Sequence, residues 1–370
     1  MVTWLTAESI GSDRRSPHTI FSYGSSHVNL ISGDAMSDTH ILVLGAGSVG
    51  KRHLRNFSGL GCRVSAMDVR QDRIKEAAGE VTLAETFDSL ESAVAKASDF
   101  SGVVVGSPTK FHVEQAAAFL NKGVPVLLEK PMSMDGASAA KLVEVAKQTK
   151  VPLLLGYTYR WWPPLQEFRK RLQAGEIGKV LYVRCTMSAH LADWHPWEDY
   201  RSFFMASREL GGGALLDESH ILDLIVWSLG MPAEVFSRIE RLSNLEIETD
   251  DNVEALFFYE KGTRVSIHLD LYARPHERSI IAIGEKGTLK WTYDPNRIQF
   301  GNGPAKEWKE TQFSCERNEM FLGVAREFME VIISGKRPSC TVDDGYQVMR
   351  LIDAMRDSSI SGRAVTVVKR

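Results

Sequence analysis

Ile41-Leu42-Val43-Leu44-Gly45-Ala46-Gly47-Ser48-Val49-Gly50 decides the fold of this chain. Four consecutive apolar residues read as a buried strand, and the glycines that follow read as a tight turn into a helix. Gly45 permits the turn. Gly47 lets backbone approach a phosphate with no Cβ in the way, and Gly50 lets the next helix pack closely on the strand. The free N–H groups at the start of that helix, at Ser48 and Val49, suit a dinucleotide pyrophosphate. The context supports this reading: an amphipathic helix follows (Val49, Leu54, Phe57), then a second strand over 63–67 that ends at Asp68. A carboxylate there accepts both ribose hydroxyls of the adenosine and favours NAD. Arg70 and Arg73 lie nearby and suit a 2′-phosphate, so NADP stays open.

Outward from this turn, strands read at 41–44, 63–67, 102–106, 124–128 and 152–155, and helices at 48–59, 71–78, 110–122 and 135–149. Such alternation predicts an α/β domain over 38–156, a doubly wound parallel sheet with right-handed crossovers. After Gly156 the pattern changes. A helix reads at 163–174, a strand at 179–188, an irregular aromatic-rich segment at 189–212 and a helix from Ala214 to Leu229 that stops at Gly230. β-rich runs follow at 233–242, 252–259, 263–272, 278–284 and 287–293, then helices near 316–334 and 344–359. Residues 157–370 therefore read as a second, α+β domain with a mostly antiparallel sheet. Residues 1–37 show no sustained periodicity and no secretory pattern, and read either as a disordered extension or, the preferred reading, as a non-native leader with translation starting at Met36.

Composition bounds the function. The 370 residues suffice for two cores, and 44% hydrophobic with 25% charged residues is ordinary for a globular protein. A net charge of −3 gives no reason to expect nucleic acid or an anionic membrane. No apolar stretch reaches the ~18 residues of a membrane span. Cys62, Cys185, Cys315 and Cys340 are scattered, which fits neither a zinc site nor a disulfide framework and points to a reducing cytoplasm. No metal site is expected.

Two further stretches carry chemistry. Glu129-Lys130-Pro131 follows the apolar Val126-Leu127-Leu128, so Lys130 lies at the carboxyl end of a strand, on the ligand-binding edge of an open α/β sheet. Asp217, His220 and Asp223 recur at intervals of three on the helix after Gly211-Gly212-Gly213. That spacing flanks an imidazole with two carboxylates, able to set its tautomer and raise its basicity.

The glycine turn, Ser107-Pro108-Thr109 with His112, Glu129-Lys130-Pro131, and Gly211 to Asp223 occur in one order and spacing, and are followed by a Gly284-Glu285-Lys286-Gly287 turn and a Ser361-Gly362-Arg363 close. From about residue 39 to the end the chain resembles the glucose–fructose oxidoreductase / inositol dehydrogenase (Gfo/Idh/MocA) family. The resemblance implies a Rossmann domain, a second domain with an open-faced sheet used to form a homodimer or homotetramer, and hydride transfer between a nicotinamide and a secondary hydroxyl or keto group of a sugar, amino sugar, nucleotide sugar or cyclitol. It implies Lys130 as the catalytic lysine, Asp217 as the orienting carboxylate and His220 as the acid/base, with Ser107, Pro108, Thr109, His112 and Glu129 at the cofactor. The commoner family pattern has aspartate and histidine four residues apart; here they are three apart, which requires a local adjustment of the helix. Trp194, His195, Tyr200 and Arg201 read as substrate contacts, because sugar C–H faces pack on aromatic rings, and Arg201 or Arg160 would pair with a carboxylate or phosphate. The alternatives are a dinucleotide-binding regulator without catalysis, or a reductase of another carbonyl or imine.

Overall fold

The computed structural model describes residues 19–21, 38–194, 196, 198–304 and 307–367. The first described element, β1 (Thr19–Phe21), runs parallel to residues 311–313 at the edge of a sheet in the second half of the chain. This corrects the expectation that the leader lies wholly outside the fold. An edge strand offers unpaired N–H and C=O groups, and a short extended segment satisfies them. The rest of the leader lies outside the described residues.

The first half builds β2 (His40–Leu44), α1 (Ser48–Gly59), β3 (Arg63–Met67), α2 (Gln71–Glu80), β4 (Thr86–Phe87), α3 (Leu90–Ala95), β5 (Gly102–Val105), α4 (His112–Leu120), β6 (Val126–Glu129), α5 (Gly136–Thr149) and β7 (Leu153–Gly156). The strands form a six-stranded sheet in the order β4-β3-β2-β5-β6-β7, with every neighbour parallel. Chain order reverses between β2 and β5. That is the topological switch point, where open α/β sheets bind ligands beyond the carboxyl ends of the strands. Ile41 to Leu44, Val103 to Val105 and Val126 to Leu128 are fully buried, as strands covered by helices on both faces must be.

The second half begins with a 3₁₀ turn, Thr158–Trp161, then α6 (Pro163–Gln173) and β8 (Val180–Ser188). The helix expected over 214–229 is two: α7 (Ala214–Asp217) and α8 (Ser219–Leu229). Then come β9 (Glu234–Glu240), β10 (Asn252–Phe258), β11 (Arg264–Asp270), β12 (Glu277–Gly284), β13 (Gly287–Thr292), β14 (Arg297–Gly301) and β15 (Lys309–Phe313), followed by α9 (Asn318–Ser334), α10 (Val342–Ser361) and β16 (Val365–Thr366). The ten-stranded sheet runs β1-β15-β14-β13-β12-β8-β11-β10-β9-β16 and is antiparallel except at β8–β11 and β1–β15. One face is apolar and buried (Val253, Ala255, Phe257, Val265, Ile267, Val183, Cys185, Ile280, Ala282). The other carries Glu254, Leu256, Ser266, His268, Arg184 and Ile281. The two closing helices return to the first domain. α9 packs on α1, and α10 packs on α5 and β9. Gly102 in β5 is packed against by Phe328 and Ile332 of α9, which a Cβ there would meet at 3.0 and 2.6 Å.

Candidate active site

Two loops meet at the switch point. Gly45 has φ +87°, and a Cβ there would stand 2.8 Å from the Ser107 backbone; one on Gly50 would stand 1.7 Å from the Gly45 carbonyl oxygen. No side chain caps α1 and no acidic residue lies in its first turn, while Ser48 and Val49 are exposed. The N–H groups of that turn are therefore left for an anion. Asp68 is buried just past β3. Its Oδ2 accepts from the Ala46 N–H at 2.8 Å and its Oδ1 from the Arg70 N–H at 2.9 Å. A carboxylate has further lone pairs for ribose hydroxyls. Arg70 pairs with Asp72 at the surface, and Arg73 stands 4.0 Å from Asp68. The bare helix start, the glycine contacts and the placed carboxylate fit NAD.

Two strands from the glycine turn, Lys130 stands at the end of β6 before a cis peptide to Pro131. Its Nζ donates to the Asp217 carbonyl oxygen at 2.6 Å and to Asp217 Oδ1 at 3.0 Å. Burial works against the ammonium charge, but Asp217 and then Glu218 outweigh it and raise its pKa. His112 ties the two loops together, with Nδ1 2.7 Å from the Pro131 carbonyl and Nε2 2.8 Å from the Ser107 carbonyl. Burial lowers its pKa against both of these bonds. Ser107 donates its hydroxyl to Gln115 at 2.7 Å, and Thr109 packs under Gly211. Glu129 Oε1 meets buried His53 of α1 at 2.7 Å, which joins this strand end to the helix of the glycine turn. His112, Thr109 and Glu129 are thus buried props of the cleft rather than an exposed lining.

Asp217 is placed by a rigid approach. A Cβ on Gly212 would collide with the Met205 carbonyl oxygen at 2.2 Å, and one on Gly213 (φ +107°) with Asp250 at 2.4 Å. Asp250 Oδ2 accepts from the Leu215 N–H at 2.8 Å and so caps α7. The three glycines are there because no side chain fits. The helix then breaks at Glu218, the local adjustment that the three-residue spacing requires.

The break separates groups that a continuous helix would stack. Asp217 turns to Lys130, and Asp223 holds Arg160 through two bonds of 2.9 and 2.7 Å. Neither carboxylate bonds His220, which corrects the expected flanking. His220 instead stacks on Tyr159 (centroids 4.6 Å, 16° between planes) and meets Tyr157 edge-on at 5.9 Å. Its Nδ1 is buried with no hydrogen-bond partner. Burial, then Lys130, Arg317 and Arg278, hold its pKa well below the ordinary histidine value, so the ring is neutral.

Glu218 is a member of the site that sequence reasoning passed over, although it stands inside the motif. It is 1% exposed, and its Oε1 has no partner. Burial and then Asp217 push its pKa up to about 8, against Arg278, Lys130 and Arg317. Arg278 of β12 and Arg317 before α9 lie far away in sequence, and nothing local marks them.

The expected substrate contacts fare unevenly. Arg160 is 4% exposed and committed to Asp223, to Asp344 and to the Ser339 carbonyl, so it is an internal strut. Arg201 is exposed and paired with Asp199 and Glu246; Tyr200 accepts from the Glu246 N–H at 3.3 Å. Both arginines stand in carboxylate-rich surroundings that satisfy them without a ligand. Trp194 packs partly on the core with its Nε1 unpartnered. His195 lies outside the described residues.

Two family models match the chain. Residues 39–157 fit an oxidoreductase family with an NAD-binding Rossmann fold, and residues 165–290 fit the GFO/IDH/MocA C-terminal domain. The rhizopine catabolism protein MocA of Rhizobium meliloti is 29% identical over 51% of this chain, which spans 56% of that protein's length. Inositol 2-dehydrogenase of the same species (strain 1021) is 26% identical over 88% of this chain and 98% of its own. Among solved structures, levoglucosan dehydrogenase in complex with NADH superposes with a TM-score of 0.81 at 19% identity, covering 90% of this chain and 100% of that one. That likeness bears on the fold. Together with the glycine turn and the matched second domain, these findings show that the chain belongs to the Gfo/Idh/MocA family of NAD-binding oxidoreductases.

Proposed function

We propose that this protein is an NAD-dependent dehydrogenase acting on a secondary hydroxyl of a sugar or cyclitol, with Lys130 and His220 as its reacting side chains. The observation that carries the reading is Lys130, held by Asp217 at the carboxyl edge of the sheet, two strands from the dinucleotide turn. NAD, when bound, supplies the hydride acceptor. An ammonium has three N–H groups, and two of them go to Asp217, so the third is left for the substrate oxygen. Its charge stabilises that oxygen as the proton leaves, an effect worth about 3 kcal/mol for a single placed donor. His220 is neutral and has a free ring nitrogen, the form that accepts a proton; Tyr159 fixes its plane. Asp217 orients the lysine rather than the histidine.

The named relatives support a polyol substrate: two of them are dehydrogenases of inositol and of levoglucosan. Among the described residues no helix is long and apolar enough to cross a membrane. All four cysteines are free thiols, which suits a reducing cytoplasm. The mixed open face of the large sheet suits a second copy of this chain.

The test is NADH formation over a panel of inositols, anhydrosugars and uronic acids. Lys130→Ala and His220→Ala should each slow turnover by roughly a hundredfold or more, the scale of an acid/base group. NADH binding, followed by fluorescence, should stay near wild type, because the glycine turn is untouched. Full turnover in His220→Ala would return that histidine to a structural part.

A further inference from the structure

Apart from Asp217, which acts on the adjacent Glu218, the charges that reach His220 and Glu218 are all positive. Lys130 comes from the end of β6, Arg278 from β12 and Arg317 from the residue before α9, and each acts on both side chains. Lys130 is answered by Asp217 at 3.0 Å. The two arginines are not answered. Among the described residues neither forms an ion pair with a carboxylate, in contrast to Arg160, Arg171 and Arg201, each of which holds at least one.

Arg278 is the more telling. Its guanidinium lies over the Tyr293 ring at 5.0 Å, and its Nε is buried with no hydrogen bond. Tyr293 stacks on Trp162 at 6.2 Å, and Trp162 closes the turn whose Tyr159 stacks on His220. One aromatic run therefore fixes the guanidinium in relation to the imidazole. A buried N–H with no acceptor is costly to keep, and a fixed guanidinium fork matches a carboxylate or phosphate through paired bonds. Arg317 is exposed and its charge reaches the same two side chains, and it reaches Arg52 of α1 as well. With Glu218 protonated, Asp217 alone opposes this charge.

We propose that Arg278, assisted by Arg317, is a subsite for an anionic group on the substrate, so that the enzyme acts on acidic sugars, bearing a carboxylate or a phosphate, in preference to neutral ones. The proposal rests on the reading of the Lys130–His220 cleft as a sugar dehydrogenase site. A neutral sugar would leave the Arg278 N–H unpaired, and sites built around such a group reject substrates that lack its partner.

The test uses the full chain with NAD⁺ and sugars that differ only in the acidic group: glucuronate against glucose, galacturonate against galactose, and glucose 6-phosphate against glucose. The acidic member of at least one pair should show kcat/KM at least about tenfold higher, the uronate and phosphate arms telling which anion is read. That advantage should shrink at about 0.5 M salt through screening. It should fall to within about threefold in Arg278→Gln and move the same way in the exposed Arg317→Gln, with NADH affinity reporting that both variants fold. Neutral sugars turned over as well as acidic ones would overturn the subsite and leave the dehydrogenase standing. An acid preference unchanged in both variants would also overturn it. Turnover of no pair by an NADH-binding wild type that oxidises an inositol or anhydrosugar would overturn the subsite and leave the dehydrogenase standing; turnover of neither the pairs nor those compounds would refute both.

Discussion

Asp68 shows how far one residue's role follows from its place. Its carboxylate takes the Ala46 and Arg70 N–H groups just past β3, and a carboxylate has further lone pairs for ribose hydroxyls. A carboxylate repels a 2′-phosphate, so Asp68→Ser should shift the ratio of NADH to NADPH affinity toward NADPH. A wild type that binds NADPH more tightly than NADH in a fluorescence titration would contradict the assignment. Asp68, Lys130 and His220 were legible from sequence because each sits at a strand end or in a motif whose chemistry is local. Their partners were not. The spacing of Asp217, His220 and Asp223 implies one face of one helix, yet Asp217 bonds Lys130, 87 positions away, and Asp223 bonds Arg160, 63 positions away. Arg160 looked like a free substrate anchor because its three carboxylate and carbonyl partners come from other elements.

The break between α7 and α8 is the element on which the site turns. Residues 214–229 have helical periodicity throughout, so sequence alone reads one helix; the capping of α7 by Asp250 and the close packing of Gly212 and Gly213 are tertiary facts. The break leaves Glu218 buried beside Asp217, with a folded pKa of about 8 against 4.5 for an ordinary glutamate. A raised carboxyl pKa means that the folded state holds the proton over that window. Its contribution is therefore whole below about pH 4.5 and is lost as the pH rises toward 8. Glu218→Gln removes that loss. Its thermal midpoint should gain on the wild type as buffers move from about pH 5 to about pH 9, and any wild-type rate inflection near 8 should vanish. Parallel pH-dependences of the two midpoints would show that Glu218 ionises normally. Other elements were plain in sequence: α1 and β3 have the bounds that periodicity assigns. β14 and β15 escaped because they are short, polar and near an edge, and β4 because it is two residues long.

At the scale of the molecule, the chain closes on itself. α9 and α10 follow the large sheet but pack on α1 and α5, so the last fifty residues brace the dinucleotide domain and bring Arg317 to the cleft. Periodicity marked both helices and could not say what they cover. The open sheet face presents Leu256, 43% exposed, beside Arg184 and Ile281 in the same row. If that face joins two copies, Leu256→Glu should lower the mass measured by light scattering to that of one chain, and an unchanged mass would move the interface elsewhere. The central claim is that the glycine turn and Lys130 serve one reacting centre between the two domains. A crystal structure of the protein with NADH and a turned-over sugar tests it most directly. The pyrophosphate should lie on the N–H groups at the start of α1, with the reacting sugar oxygen about 3 Å from Lys130 Nζ. A dinucleotide bound there with the sugar oxygen far from both Lys130 and His220 would contradict the account.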